Sequence, residues 1–155
     1  MMIPEFQTLD DAEIELVLKA PILVCILIAG ADGTIDRKEI KEAISVTEKQ
    51  KKSQSVLSHY FLEIAEDFED KIKILSQSYP YESTQRDPLI IAELARLNTL
   101  WKRLDKNFSI ALYEMLITLA EKVASSSGGL LGIKTVGVEE AKYLNLPMVQ
   151  DPAKI

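Results

Sequence analysis

The sequence predicts an all-α fold, and two observations support this. Apolar residues recur at helical spacing in stretches rich in Leu, Ala, Lys and Glu, and no segment alternates apolar and polar residues as a half-buried strand would. A chain of 155 residues with 47% hydrophobic content is long enough to bury a core of its own. We therefore expect a single domain over 1–155, a bundle of six to seven helices with its helical core over about 8–146 and a frayed tail over about 150–155.

The first two predicted helices are separated at a proline. Thr8 or Asp10 caps the start of the first helix, which runs to about Lys19. Pro21 is typical of a first helical position, where its missing amide is tolerated, and it is predicted to open a second helix through Ile28.

An apolar run over 20–31 contains this second helix. The run is shorter than the roughly 20 residues that a membrane-spanning helix needs, so its length indicates a buried core helix and no membrane span. Cys25, the only cysteine of the chain, lies inside the run. It therefore forms no internal disulfide, and an inert core thiol is predicted.

The third and fourth helices are predicted over about 37–52 and 53–77. The fourth has the clearest period of the chain, with one apolar stripe made of Leu57, Tyr60, Phe61, Ile64, Ala65, Phe68, Ile72 and Leu75. The only histidine, His59, has no cysteine or second histidine near it in the sequence, so it makes a poor transition-metal ligand or catalytic base.

A turn over 78–84 precedes the fifth predicted helix, with Ser83 or Thr84 available as its cap. An Asp-Pro step indicates that the regular part of this helix begins at Pro88, and the apolar spacing continues to about Leu104. The physical reason is that a proline lacks the amide that an interior helical position would donate.

Asp105 is predicted to cap a sixth helix, whose apolar face extends from Phe108 to Val123. A loop rich in glycine and serine follows over 125–137, and a short helix over 138–144 completes the helical part. Ser127, Gly128, Gly129, Leu130 and Leu131, all in this loop, are a candidate partner-binding segment, because exposed leucines there would have to be buried against the bundle or a partner.

Carboxylates and a glycine turn converge just before the third predicted helix. Asp32, Asp36 and Glu39, with the hydroxyl or carbonyl of Thr34, offer hard oxygens within eight residues, the ligand type that calcium and magnesium prefer. The segment is not an EF-hand, since the twelfth position counted from Asp32 is Ala43 and the bidentate glutamate is missing.

The same residues also have an interpretation without a metal. Asp36 would cap the third helix, Glu39 would return the capping-box hydrogen bond, and Ile35 against Ile40 has the spacing of a hydrophobic staple. The sequence leaves both interpretations open.

Two segments, 28–39 and 123–140, share one pattern: an apolar helix end, a glycine loop, a β-branched residue and a helix with early acids. The repetition indicates two helical halves about a pseudo-two-fold axis, with chance similarity as the alternative.

Three parts of the sequence carry a resemblance: the motif A-D-G-x-I-D-x-x-E over 31–39, the apolar segment 20–24 before it, and the loop 124–129 followed by two glutamates at 139–140. Together they resemble the TerB-like domain of tellurite-resistance proteins. The resemblance extends over about 9–146. It implies an all-helical bundle with internal symmetry, a link to stress and tellurite resistance, metal binding near the acidic loop and no established catalysis.

The resemblance implies that Asp32, Asp36 and Glu39 are the metal ligands. The second loop of the chain has serines and carbonyls but no carboxylate, so the sequence departs there from a family pattern with two metal sites.

The charge of the chain, its nucleophiles and its first residues argue against several classes of function. A net charge of −6 without a Lys/Arg stripe argues against nucleic-acid binding. No nucleophile is paired with a base at a recognisable spacing, so an enzyme is not expected. Residues 1–6 have no basic region before an apolar segment, so no secretory signal is predicted and a cytoplasmic location is expected.

These observations predict a non-enzymatic, TerB-like stress-response module that binds a divalent cation, calcium or magnesium, at 32–39 and needs no other cofactor. The alternative is a protein-interaction scaffold or a self-associating helical domain with no metal. A protein partner or a second copy of the chain is the expected binding partner.

Overall fold

The computed structural model describes residues 6–29, 57–65, 68–80, 82–126 and 143–154, and within these ranges it confirms the all-α fold, with no strand. The helices are α1 (Asp11–Ala29), α2 (Ser58–Ala65), α3 (Phe68–Ser78), α4 (Ser83–Ala95), α5 (Leu97–Leu100) and α6 (Lys106–Ser126), followed by a 3₁₀ helix over Pro152–Lys154. The predicted third helix and most of the short helix over 138–144 lie outside the described residues. The number of helices and the pseudo-symmetry therefore stay predictions.

Asp10 caps α1. Its side-chain Oδ1 accepts a hydrogen bond from the Glu13 amide at 2.8 Å, and the Asp10 amide donates to Glu13 Oε1 at 3.0 Å. This reciprocal pair is a capping box. Thr8, the other predicted cap, instead donates from its hydroxyl to the carbonyl of Arg103 at 3.1 Å, which ties the start of α1 to the segment after α5.

The predicted break between two helices at Lys19 and Pro21 is wrong, because α1 continues through Pro21 to Ala29. A proline inside a helix leaves the carbonyl four residues earlier without its amide donor. Here that carbonyl belongs to Val17, and the buried hydroxyl of Tyr60 in α2 donates to it at 2.7 Å. The donor that the helix lacks is thus supplied by another helix.

The C-terminal half of α1 is the centre of the core. Residues 20–28 are all buried, Cys25 among them, as predicted for a core helix and a core thiol. Around α1 pack α6, α4, α3 and α2. Among the described residues, no helix combines the length and the apolar character needed to cross a membrane.

The helix predicted over 53–77 is described as α2 and α3, with residues 66–67 between them outside the description. The apolar stripe of this segment does face the core. Its described and fully buried members are Leu57, Tyr60, Ile64, Phe68 and Ile72.

The start of α4 differs from the prediction. The helix begins at Ser83, with Glu82 at the N-cap position and no side-chain cap, so neither Ser83 nor Thr84 acts as the cap. Pro88 lies inside the helix instead of opening its regular part. Pro88 weakens the helix because it removes one amide donor. The complete burial of Ile90 and Leu94 stabilises the helix against the core and offsets this loss.

The fifth predicted helix also ends earlier than expected. Its pattern reaches Leu104, but α4 stops at Ala95 and the short α5 follows after Arg96. Trp101 and Leu104 are nevertheless buried, so the apolar spacing identified core residues correctly although the helix is interrupted.

Asp105 caps α6 as predicted, since its Oδ2 accepts a hydrogen bond from the Phe108 amide at 3.1 Å. The predicted inner face of α6 is buried. The ring of Phe108 meets those of Phe6 and Tyr60 edge-to-face, at centroid distances of 6.0 and 5.8 Å. These contacts join the N-terminal segment, α2 and α6 in one cluster.

The structure describes residues 150–154 of the tail that is predicted to fray, and side chains of α5 and the residue after it contact this segment. Asn98 donates from Nδ2 to the carbonyl of Met148 at 2.9 Å and accepts from the amide of Gln150 at 2.7 Å. The indole of Trp101 donates to the carbonyl of Gln150 at 3.0 Å. Pro152 is buried beyond these contacts. The tail is thus fixed to α5 by side chains that recognise its backbone.

Leu146 lies in this C-terminal segment and has a φ of 44°, in the left-handed region that a leucine rarely occupies. Such a conformation costs about 1–3 kcal/mol. The side chain is completely buried, and burying a leucine contributes about 1.5–3 kcal/mol, which is enough to offset the strain.

Candidate functional site

Both sites predicted from the sequence lie outside the described residues. Asp32, Asp36 and Glu39 belong to 30–56, and the partner-binding segment over 127–131 belongs to 127–142. Within the part of the chain that the structure does describe, no group of three or more His, Cys, Asp and Glu side chains is placed to hold a metal ion. The cation site therefore stays a prediction.

The described residues form a groove between α1 and α3, of about 400 Å³. Its floor is apolar. Ile14 and Leu18 of α1 and Leu75 of α3 are partly buried there and pack against the core beneath. Such a groove is the shape that an apolar side chain of a partner would fill.

Ile74 lies on the wall of this groove and is the most exposed large apolar side chain in the described ranges, with 61% of its surface accessible. Its neighbours in sequence explain why. Ile72 and Leu75 lie on the core-facing stripe of α3, and Ile74 falls beside that stripe. An isoleucine in this position contributes little to the core and keeps a large apolar surface in water.

The two walls of the groove carry opposite charges at their rims. The α1 wall has the carboxylates of Asp11 and Glu15, both exposed, and the α3 wall has the ammonium group of Lys71. Among the residues that line the groove, the exposed carboxylates therefore lie on α1 and the exposed ammonium group lies on α3.

A hydrogen-bonded cluster closes the groove at Lys19. Its ammonium group donates to Glu93 Oε1 at 3.0 Å, and the hydroxyl of Tyr79 donates to the other oxygen of the same carboxylate. The cluster connects α1, α4 and the residue that follows α3.

The cluster shifts the pKa values of two of its members. Burial, followed by the hydrogen bond to Glu93 and the charge of that carboxylate, raises the pKa of the Tyr79 phenol well above 10. Partial burial alone would raise the pKa of Glu93, but the hydrogen bonds from Tyr79 and Lys19 and the nearby positive charges outweigh it and lower the pKa. At neutral pH the cluster is therefore an ionised carboxylate held by a phenol and an ammonium group.

Arg86 and Asp87 form a buried charged pair in the second turn of α4, with Arg86 Nε 3.6 Å from Asp87 Oδ1. The sequence analysis places both residues in the irregular stretch before Pro88 and does not identify the pair. The sequence analysis also does not identify Ile74, although an apolar residue off the stripe of an amphipathic helix can be recognised in a sequence.

Comparison of the chain with family models, with curated proteins and with solved structures finds no match. The TerB-like resemblance stays a prediction based on the motif residues.

Proposed function

We propose that this protein is a non-enzymatic, self-associating helical domain, and that two copies meet through the groove between α1 and α3. The observation that carries the proposal is the position of Ile74, an exposed isoleucine on the wall of an apolar groove. In a two-fold dimer each copy presents the same surface, so one side chain can fill the other copy's groove in both directions.

Charge complementarity favours a second copy as the occupant. A two-fold axis that brings α3 of one copy over α1 of the other sets the α3 rim, with Lys71, near the α1 rim, with Asp11 and Glu15. The reciprocal contact forms at the same time, because the interface is isologous. A partner of uniform charge would be repelled by one of the two walls.

The expected dimer is weak. Complete burial of an isoleucine side chain contributes about 1.5–3 kcal/mol per copy, while association costs about 4–15 kcal/mol in lost translational and rotational freedom. The surrounding apolar floor and the rim charges have to supply the difference. We expect a dissociation constant of about 10–500 μM, typical of a transient contact smaller than about 1,200 Å².

Sedimentation equilibrium from about 5 μM to about 1 mM tests the proposal. The wild-type mass should rise from monomer to dimer, and Ile74→Glu should remain monomeric throughout. Leu89→Glu is the matched control, because Leu89 is 49% exposed on α4 and does not line the groove. A wild type that stays monomeric at about 1 mM, or an Ile74→Glu variant that dimerises like Leu89→Glu, would contradict the proposal.

A cross-linking experiment locates the two-fold axis. Ile74→Cys should form an intermolecular disulfide on mild oxidation, whereas Leu89→Cys should form much less. The native Cys25 does not interfere, since it is buried in α1. Equal cross-linking of the two variants would show that the groove is not the interface.

A second candidate function rests on the sequence. We propose a TerB-like, stress-response module of the cytoplasm, a bundle of six to seven helices that binds calcium or magnesium through Asp32, Asp36 and Glu39. What supports it is the three carboxylates within eight residues and the resemblance of the motif around them.

Thermal unfolding with and without the ion tests this second candidate. At ten times its dissociation constant, a bound ion stabilises the native state by about 1.4 kcal/mol and raises the melting temperature by a few degrees. Asp32→Asn should remove most of this shift, because it keeps the turn but removes a ligand charge. A melting temperature indifferent to millimolar calcium and magnesium would reject the site.

A further inference from the structure

A second cavity, of about 280 Å³, lies between the segment after α5, the start of α6 and the C-terminal 3₁₀ helix. Trp101, Leu104 and Pro152 form its apolar side. It is distinct from the groove between α1 and α3, and neither the cation site nor self-association uses it. Its volume lies just below the range of about 300–1,000 Å³ that is typical of ligand pockets, so it suits only a small ligand.

The polar side of this cavity is basic. Lys102 and Lys106 both line it, and Lys106 is the first residue of α6, a helix of 21 residues whose N-terminal end carries a partial positive charge. The carboxylate of Asp105 at the same end already accepts the Phe108 amide as the helix cap. Asp151, next to Pro152, accepts the amide of Ala153 at 2.9 Å. Each of these two acids thus accepts one backbone amide and keeps its negative charge.

Ser109 is the independent observation that points to a ligand. It lines the cavity, the residue is completely buried, and its hydroxyl has no hydrogen-bond partner among the described residues. A buried hydroxyl without a partner costs about 1–3 kcal/mol, so such groups in proteins are normally satisfied by protein, water or ligand. The main-chain amide of Ser109 is already used in the helix, where it donates to the carbonyl of Asp105 at 2.9 Å.

We propose that this cavity binds a small organic oxyanion, a phosphate monoester or a carboxylate on a short apolar body. The anionic oxygens accept hydrogen bonds from Ser109, Lys102 and Lys106 at the start of α6. The apolar body lies against the indole of Trp101 and the ring of Pro152. The C-terminal segment thereby completes a binding site, which gives its close attachment to α5 a role beyond stability.

Trp101 is the single tryptophan of the chain, so its emission reports directly on the cavity. Phenyl phosphate and benzoate, titrated separately to about 10 mM at constant ionic strength, should each change this emission saturably if their shared oxyanion chemistry is recognised. Binding of one probe alone identifies which oxyanion the cavity takes. Benzyl alcohol, which has the ring without the charge, should bind at least about tenfold more weakly.

Three variants locate the binding. Ser109→Ala and the double variant Lys102→Gln/Lys106→Gln should each weaken binding by about tenfold or more, as the loss of one charge-assisted hydrogen bond predicts. Lys122→Gln is the matched control, an exposed lysine near the other end of α6, and should bind as the wild type does. Amide chemical shifts of Ser109 provide a second readout that does not depend on the indole.

Two results would overturn the proposal. One is the absence of saturable change in both the emission and the Ser109 amide shift, which would mean that the hydroxyl is satisfied by water or by a carbonyl of its own helix. The other is binding that is unaffected by Ser109→Ala and the lysine double variant, or equally strong for benzyl alcohol, which would identify a nonspecific apolar cleft.

Discussion

The hydroxyl of Tyr60 donates a buried hydrogen bond to the main-chain carbonyl of Val17, at 2.7 Å. That carbonyl is the acceptor to which residue 21 would donate in a regular helix, and residue 21 is a proline. A side chain 43 residues away in sequence thus replaces the missing amide and holds α2 against the middle of α1. Pro21 alone would weaken α1, but the carbonyl that it leaves without a donor is the one through which α2 forms a hydrogen bond to α1.

Removing the Tyr60 hydroxyl should therefore destabilise the protein in a way that depends on Pro21. In Tyr60→Phe the Val17 carbonyl is left buried and unsatisfied, at a cost of about 1–3 kcal/mol in the free energy of unfolding. In a Pro21→Ala background the alanine amide can donate to the same carbonyl, and Tyr60→Phe should cost less. Urea unfolding of the four chains of this double-mutant cycle measures the coupling. Equal costs in the two backgrounds would show that the hydroxyl does not replace the proline's donor.

The stability of the protein should fall at alkaline pH because of the same residue. Complete burial raises the pKa of Tyr60 well above the ordinary value of 10.0. The unfolded chain therefore loses this proton first, so the contribution is fully present below about pH 10 and is lost as the pH rises further. The slope reaches about 1.4 kcal/mol per pH unit for this one group. Unfolding of the wild type and Tyr60→Phe between about pH 8 and 11 measures the difference, which should grow smaller as the pH rises.

The cluster of Lys19, Tyr79 and Glu93 should give the opposite dependence in acid. The hydrogen bonds and positive charges around Glu93 outweigh its partial burial and lower its pKa below 4.5. Its contribution to stability is present above that value and is lost as the pH falls through the lowered pKa. Glu93→Gln should cost about 1 kcal/mol at neutral pH and should lose less stability than the wild type below pH 4.5. An unchanged acid profile in Glu93→Gln would assign the acid sensitivity to other carboxylates.

Attachment of the C-terminal segment should depend on Asn98. Asn98→Ala removes both of its hydrogen bonds to the backbone of Met148 and Gln150 and should cost about 1–3 kcal/mol. Release of the segment would expose Trp101, so the emission maximum should shift to longer wavelength. Asn107→Ala is the control, since Asn107 is exposed on α6. A wild-type emission spectrum and stability in Asn98→Ala would show that the Trp101 hydrogen bond and the burial of Leu146 and Pro152 hold the segment without Asn98.

The all-α class and much of the core follow from the sequence because their causes are local. The stripe of Tyr60, Ile64 and Phe68 repeats with the helical period, and burial of one face is the direct consequence of that spacing. The caps at Asp10 and Asp105 involve residues three positions apart, so they too are visible in the sequence. The predicted site at Asp32, Asp36 and Glu39 stays a prediction from the same kind of local pattern.

Only the tertiary structure decided whether α1 passes through Pro21, which residues the C-terminal segment contacts and where an apolar groove lies. At Pro21 of α1 the missing donor is replaced by one in α2, and the C-terminal segment is contacted by Asn98, 52 residues before Gln150. The groove needs Ile14 and Leu18 to lie beside Ile74, which neither helix specifies by itself. Periodicity fixes which face of a helix is apolar, but hydrogen bonds and surfaces shared between distant segments form only when the helices pack.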